Sequence, residues 1–245
     1  MTPPERRIDP PPVTRGRLAF LIGVPLAWAG LLWFHPGGDR ENIYASLRDQ
    51  VTTWQIVHVG TLIFIGLMGV ALYMLVRDLP GRAATISRLA IGPFVLFYGA
   101  WEAVIGLGTG ALVQHANDVP PVQRPAVSDA IQSLQANVIV GDAGVVAVIG
   151  ALAWITAVIA AAVAYRRVRA PVMVSVLLGL SLVVVSHPPP IGPSGLVCFA
   201  GAAGLLAITQ RTSTVPPGRQ RHPRSGSAPE SARTPLSRTT SDVSR

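Results

Sequence analysis

Six long apolar runs divide this 245-residue chain into seven polar pieces, and the arginines are distributed very unevenly among those pieces. The chain has twenty arginines and no lysine. Seventeen arginines lie in the first, third, fifth and seventh pieces, and three lie in the second, fourth and sixth. Because basic residues accumulate in the cytoplasmic segments that flank membrane spans, the sequence predicts an all-α, six-transmembrane-helix bundle with both termini in the cytoplasm.

The composition agrees with a membrane protein and argues against a nucleic-acid-binding domain. Half of the residues are apolar and only 13% are charged, which is about half the charged fraction of a soluble domain. The net charge of +8 comes from arginines that flank apolar runs or lie in the C-terminal tail, whereas a nucleic-acid-binding domain gathers basic residues on one face. The predicted partners are the lipid bilayer and the anionic lipid headgroups at its cytoplasmic face, with no nucleic acid.

Three regions follow from the apolar runs. Residues 1–16 are rich in proline and charge and are predicted to form a disordered cytoplasmic arm. Residues 211–245 contain seven arginines and five prolines, which predicts a disordered basic cytoplasmic tail. Residues 17–210 form the predicted membrane domain, with spans at about 18–34, 54–76, 89–112, 143–165, 172–186 and 191–209. The first and fifth spans are close to the shortest length that crosses a bilayer.

The bias towards Ala, Gly, Arg, Pro and Val, without Lys, is typical of a bacterium with a GC-rich genome. The predicted location is therefore the bacterial inner membrane. The first apolar run also resembles a secretory signal peptide, because Ala27 and Ala29 flank Trp28 in the manner of a cleavage site. The run continues as far as Trp33, which favours a retained span.

Two outer loops have the periodicity of short amphipathic helices lying on the outer membrane surface. Asp39 can cap the first, and Pro125 suits the first turn of the second. The apolar residues that recur at helical spacing are Ile43, Leu47 and Val51 in the first loop and Val127, Ile131 and Leu134 in the second. Ordinary surface loops with chance periodicity are the alternative. Trp33, Trp54 and Tyr165 fall where an aromatic belt would meet the two interfaces.

Most of the histidines fall on the predicted outer side. With about 1.5 Å of rise per helical residue, His35, His58 and His187 each lie about 27–28 Å above the arginine that marks the inner end of their helix. Three helices therefore bring histidines to one plane at the outer interface. Asp142, just before the fourth span, is predicted at the same level, and these residues suggest a polar pocket.

Glu102 is the strongest single candidate for a functional residue. It lies about 21 Å above Arg88 by the same measure, so it is deeper in the hydrocarbon. A carboxylate inside a span costs roughly 2.5–3.5 kcal/mol at the centre of the membrane and usually faces the interior of the bundle. Tyr98 is one turn below on the same face and can share a hydrogen bond. Glu102 could carry a proton, bind a cation or anchor a substrate, or it could be a protonated residue that ties two helices together.

Structural interpretations stay open for the other pocket candidates. Asp142 could cap the fourth span. His35 and His187 could each stabilise the C-terminal end of a helix that the next proline stops. His58 could be an ordinary interfacial histidine or the pH-sensitive partner of Glu102. No pair has the tight spacing of metal ligands, and Cys198 is the only cysteine, so no metal site and no cofactor are predicted.

Glycines crowd several spans, and small residues allow helices to approach closely. The glycines at 106, 108 and 110 could instead loosen the third span above Glu102 and leave a broken helix end beside the pocket.

Three stretches resemble segments of small multi-pass bacterial membrane proteins to which no activity is assigned. They are Trp54–Gly60, Tyr98–Ala103 and Ser186–Pro193. The resemblance covers about residues 15–210 and leaves the tail out. It implies a compact helical bundle and no particular chemistry.

Three functional hypotheses remain open. The leading one is a non-enzymatic sensor, scaffold or accessory subunit with a polar pocket near the outer leaflet. The second is a small proton- or cation-coupled carrier that uses Glu102. The third is a metal-dependent membrane enzyme acting at the outer face.

Overall fold

A computed structural model describes residues 14–39, 41–186 and 188–213, and every regular element within them is helical. We number the helices α1 to α8. The elements in chain order are α1 (Arg15–Leu32), α2 (Ile43–Leu47), α3 (Val51–Val76), α4 (Arg82–Asp118), α5 (Arg124–Gln135), α6 (Val145–Arg167), α7 (Val172–Leu180), a 3-10 turn (Ser181–Val185) and α8 (Ile191–Ser213). Two π-helical segments, Phe94–Tyr98 and Glu102–Leu107, lie within α4.

Five of these helices, α1, α3, α4, α6 and α8, are long and apolar enough to cross a membrane. The all-helical fold predicted from the sequence is confirmed, and the five long apolar helices agree with the predicted membrane protein. The segment predicted as the fifth span is shorter. Its nine α-helical and five 3-10 residues rise about 24 Å in total, which is less than the roughly 30 Å of a typical hydrocarbon core.

Helix bounds differ from the predicted spans mainly where polar residues continue a helix beyond the apolar run. The largest difference is in α4, which covers Arg82–Asp118 instead of residues 89–112. The last helix continues to Ser213, past the predicted end at residue 209. Hydropathy marks the apolar part of a helix, whereas backbone hydrogen bonds continue until a cap or a turn stops them.

The start of α1 and the end of α3 meet at one end of the bundle. Arg17 donates from Nη1 to Oδ2 of Asp78 (2.9 Å) and from Nη2 to the backbone carbonyl of Met74. Burial alone would raise the pKa of the Asp78 carboxyl, but hydrogen bonds from Arg17 and Arg77 hold it below its usual value. Arg88 at the start of α4 donates to the carbonyl of Arg77 (3.2 Å).

The end of α6 joins the same group, because the Tyr165 hydroxyl donates to the carbonyl of Leu75 (2.7 Å). We call this part of the molecule the arginine end. Tyr165 is buried there, so its ring packs inside the bundle and does not face the lipid. Trp33, by contrast, is largely exposed after the end of α1.

Close packing between α4 and α6 depends on one glycine. A Cβ atom on Gly150 would lie 2.6 Å from the backbone nitrogen of Tyr98, which no real side chain tolerates. The absent side chain lets the two backbones approach, as small residues commonly do in membrane bundles. Below this contact, the rings of Phe94, Trp154 and Phe199 pack at tilted angles in the core, with the Phe94 and Trp154 centroids 4.8 Å apart.

Residues 172–185, which comprise α7 and the 3-10 turn after it and which we call the α7 segment, connect the two ends of the bundle despite their shortness. The segment begins beside the end of α6, and its last residue, Val185, lines a cavity at the end opposite the arginines. The next helix, α8, returns alongside α1, where a Cβ on Gly204 would be in ordinary contact with Ile22.

Two short helices, α2 and α5, lie in the outer loops as predicted, but Val51, predicted as part of the first, begins α3 instead. They form a small separate apolar cluster with the adjoining ends of α3 and α4, built from Ile43, Leu47, Trp54, Val113 and Ile131. The predicted cap of α2 is wrong. Asn42 caps it by accepting from the backbone N–H of Ala45 (3.0 Å), because helix α2 starts at Ile43 and Asp39 lies too far before it.

Some sequence predictions fall outside the described residues. These are His187, most of the N-terminal arm (residues 1–13) and nearly all of the tail (residues 214–245).

Candidate functional site

A cavity of about 460 Å³ lies at the end of the bundle opposite the arginine end. Its volume is within the range of small-molecule sites. It is lined by side chains from α3, α4, the loop before α6 and the segments on either side of residue 187. Five of the six pocket candidates named from the sequence line it, namely His35, His58, Tyr98, Glu102 and Asp142. The sixth, His187, lies outside the described residues, although Ser186 and Pro188 on either side of it line the cavity.

His58 on α3 and Glu102 on α4 form a close buried pair. Nδ1 of His58 and Oε1 of Glu102 are 2.5 Å apart, and both side chains are almost fully excluded from solvent. A contact this short requires a proton between the two atoms, carried by the imidazole or by the carboxyl group. The pair can therefore exchange a proton or change its net charge without moving apart.

The pair forms because Gly106 leaves room for it. A Cβ atom at Gly106 would lie 2.3 Å from Nδ1 of His58 and 3.1 Å from Oε1 of Glu102. Gly106 and Glu102 both belong to the second π-helical segment of α4. A π segment shifts backbone hydrogen bonds from the fourth to the fifth residue, and such segments are frequent at functional sites. The helix continues through this region, so the predicted broken helix end is wrong.

Trp54 and His35 enclose the imidazole of His58. The ring centroid of Trp54 is 4.1 Å from that of His58, and the centroid of His35 is 5.1 Å from each of the other two. The Trp54 indole donates to the carbonyl of Gly106 (2.7 Å), which ties α3 to the π segment. Trp54 is buried, so its ring packs inside the bundle and does not face the lipid.

His35 follows α1 and is neutral at pH 7. Burial, together with the neighbouring His58, lowers the pKa of His35 from 6.5 to about 4. A neutral imidazole both donates and accepts a hydrogen bond. This residue can therefore offer a polar contact to a molecule in the cavity without adding positive charge to it.

Tyr98 and Asp142 line the cavity in ways that the sequence did not predict. The Tyr98 hydroxyl donates its proton to the carbonyl of Val185 (3.1 Å). In the predicted hydrogen bond between Tyr98 and Glu102, the Tyr98 oxygen would therefore have to be the acceptor and the Glu102 carboxyl group the donor. The alternative role of Asp142 as a helix cap is wrong. Helix α6 begins three residues later, and Gly144 occupies its N-cap position.

Trp101 and Gln135 also line the cavity, and neither was predicted as a pocket residue. Trp101 donates from its indole to the carbonyl of Gly141 (3.1 Å), and Gln135 donates to the hydroxyl of Thr109 (2.8 Å). The first bond holds the loop between α5 and α6 against α4, and the second holds the end of α5 against the same helix. The sequence offered one indication of the role of Trp101, which is that it immediately precedes Glu102 in the chain.

The cavity suits hydrogen bonding and proton exchange better than metal binding. Among the described residues, no group of three or more His, Cys, Asp or Glu side chains is placed to hold a metal ion. The lining instead combines the His58–Glu102 pair and Asp142 with aromatic and aliphatic side chains. Such a mixture is typical of a site for a small organic molecule, where a few polar groups fix its orientation.

Comparison with protein-family models, curated proteins and solved structures finds no significant match. The resemblance of three stretches to small bacterial membrane proteins stays a prediction.

Proposed function

We propose that this protein is a non-enzymatic integral membrane protein, a sensor or accessory subunit, that binds a small ligand from the outer side of a bacterial inner membrane. The observation that carries the proposal is the His58–Glu102 pair in a cavity of about 460 Å³. A buried carboxylate inside a membrane helix is costly and usually functional.

The proposed topology has six crossings with both termini in the cytoplasm. The arginine end gathers basic residues from the ends of several helices, as the cytoplasmic side of a membrane protein does. The α7 segment supports a sixth crossing, because it runs from the arginine end to the cavity although it rises only about 24 Å. A locally thinned bilayer accommodates a short segment at modest cost.

A binding role fits the cavity better than transport. Tyr98 forms part of the cavity wall, and its ring packs on that of Phe94 with centroids 5.7 Å apart. Phe94 in turn contacts the fully buried ring of Trp154. These rings fill the bundle between the cavity and the arginine end, which favours a site reached from one side of the membrane.

A carrier remains the second candidate because of Glu102 itself. Its carboxyl group is fully buried beside an imidazole, and such pairs carry protons in transporters. A carrier would have to open a path through the packed rings below Tyr98.

Filling the mouth of the cavity tests the proposed binding function. Gly38 lines the cavity, and a Cβ atom there meets nothing within 4 Å, so Gly38→Trp should block the site without disturbing the fold. Gly37→Trp is the matched control, because a Cβ at Gly37 also meets nothing and this residue does not line the cavity. Each protein is extracted in native lipid discs, and the small molecules released on denaturation are identified by mass spectrometry.

We expect the wild type and Gly37→Trp to retain the same polar molecule and Gly38→Trp to lose it. Equal retention by all three proteins, or no molecule on the wild type, would contradict a ligand-binding cavity. Proton entry into reconstituted vesicles that Glu102→Gln abolishes would contradict the sensor and favour the carrier.

A further inference from the structure

A second hollow, of about 480 Å³, lies between α6 and α7 near the arginine end. We call it the α6–α7 groove. Ile159 and Val163 line it from α6, Ser175 and Gly179 line it from α7, and Arg166 and Arg167 stand at one end. Ile159 and Val163 are more than 40% exposed, so the groove opens on the outside of the bundle, away from the His58–Glu102 cavity.

Small residues make the groove and keep it open. The Ser175 hydroxyl donates to the carbonyl of Ala162 (3.0 Å) and holds α7 close to α6. One turn further along α7, Gly179 has no side chain, and a Cβ atom there would meet nothing within 4 Å. The result is an apolar channel in which neither helix supplies a side chain to fill the space.

The groove has a cationic end. Arg166 and Arg167 are both exposed in the last turn of α6. Arg166 donates from Nη1 to the carbonyl of Ala170 (3.0 Å), which holds its guanidinium over the turn that leads into α7. Arg169 in this turn has a φ of 60°, and this left-handed residue reverses the chain tightly. None of the described lining residues is acidic.

An apolar channel with a cationic end matches a lipid that has an apolar chain and an anionic headgroup. Guanidinium groups bind phosphate with paired hydrogen bonds. Basic pockets between helices on the cytoplasmic side are recognised sites for anionic headgroups. A second copy of this chain fits less well, because two copies in the same membrane orientation would place their arginines at the same depth and repel each other.

We propose that the α6–α7 groove is a specific site for an anionic phospholipid, with an acyl chain between Ile159, Val163 and Gly179 and the phosphate on Arg166 and Arg167. The site does not depend on the proposed ligand of the His58–Glu102 cavity. Its ligand is one lipid molecule held in a fixed position, which differs from the general attraction of arginines to the anionic membrane surface.

Native mass spectrometry of the full-length protein tests this site. The protein is reconstituted in nanodiscs that contain phosphatidylcholine and phosphatidylglycerol, released into mild detergent, and weighed with the lipids it retains. We expect one phosphatidylglycerol per chain on the wild type. Removing both charges with Arg166→Gln and Arg167→Gln should lower its retention about thirtyfold, and Gly179→Leu should lower it strongly as well by filling the channel.

Two controls separate the site from general effects. Arg82→Gln removes an exposed charge from the same end of the bundle, and Gly66→Leu adds a side chain where a Cβ also meets nothing within 4 Å. Both should retain the lipid. The proposal is overturned if the wild type holds phosphatidylcholine equally well, or if the groove variants behave like their controls. It is also overturned if Gly179→Leu converts a dimer to a monomer, since the occupant would then be a second copy.

Discussion

Replacing His58 by alanine is expected to lower the free energy of unfolding by about 3–5 kcal/mol. The imidazole contacts the Glu102 carboxyl at 2.5 Å, and both groups are buried. Its removal leaves a buried carboxyl group without this hydrogen bond and creates a cavity under Trp54. Glu102→Ala should be costly for the same reason. Reversible unfolding in mixed detergent micelles measures both variants.

The double variant distinguishes a true pair from two independent buried residues. If His58 and Glu102 act as a unit, the loss of both should cost less than the sum of the single losses by about 1–3 kcal/mol. Ser87 is the control, because it is fully buried at a distance from the cavity and donates to the carbonyl of Ala157 (2.8 Å). His58→Ala combined with Ser87→Ala should be additive within about 0.5 kcal/mol. Additivity in the His58–Glu102 double variant would show that the two residues are not coupled.

Gly106→Ala is expected to destabilise the protein by about 2 kcal/mol, although alanine is the better helix former. The added methyl group would lie 2.3 Å from Nδ1 of His58 and force the pair apart. Gly108→Ala is the matched control on the same helix. Its Cβ would lie 3.8 Å from Leu134, so it should leave stability unchanged or raise it by up to about 1 kcal/mol.

The same detergent unfolding assay compares the two glycine variants. Nitrogen-15 NMR of histidine side chains adds a local measurement, because loss of the short contact changes the signals of the His58 ring. Similar stability in the two variants, with unchanged His58 signals, would mean that Gly106 is not what makes room for the pair.

The depth of a polar residue in the membrane, counted along its helix, could be predicted from the sequence. Counting residues from the arginines placed His35 and His58 at one level, and the structure brings their ring centroids to 5.1 Å. A glutamate in an apolar run was also visible, because its burial cost makes it exceptional. Both inferences depend only on the chain's local geometry and on the membrane as a solvent.

Features that depend on packing between helices could not be predicted. Trp54 has the signature of an interfacial residue, but its indole reaches the Gly106 carbonyl on another helix. The π-helical segments leave no clear mark in the sequence, and neither does the choice of Asn42 over Asp39 as a cap. The fifth apolar run was already close to the shortest length that crosses a bilayer, but its change from α-helix to a 3-10 turn after Leu180 could not be predicted.

Labelling of engineered cysteines tests most directly whether the cavity faces the outer side and the arginine end faces the cytoplasm. In a background with Cys198→Ser, Gly38→Cys places a thiol at the mouth of the cavity and Arg82→Cys places one at the arginine end. A membrane-impermeant maleimide is applied to spheroplasts and then to permeabilised membranes. The Gly38→Cys variant should react in intact spheroplasts, and the Arg82→Cys variant should react only after permeabilisation. Reaction of the Arg82→Cys variant in intact spheroplasts, with protection of the Gly38→Cys variant, would contradict the proposed orientation and the outer ligand site.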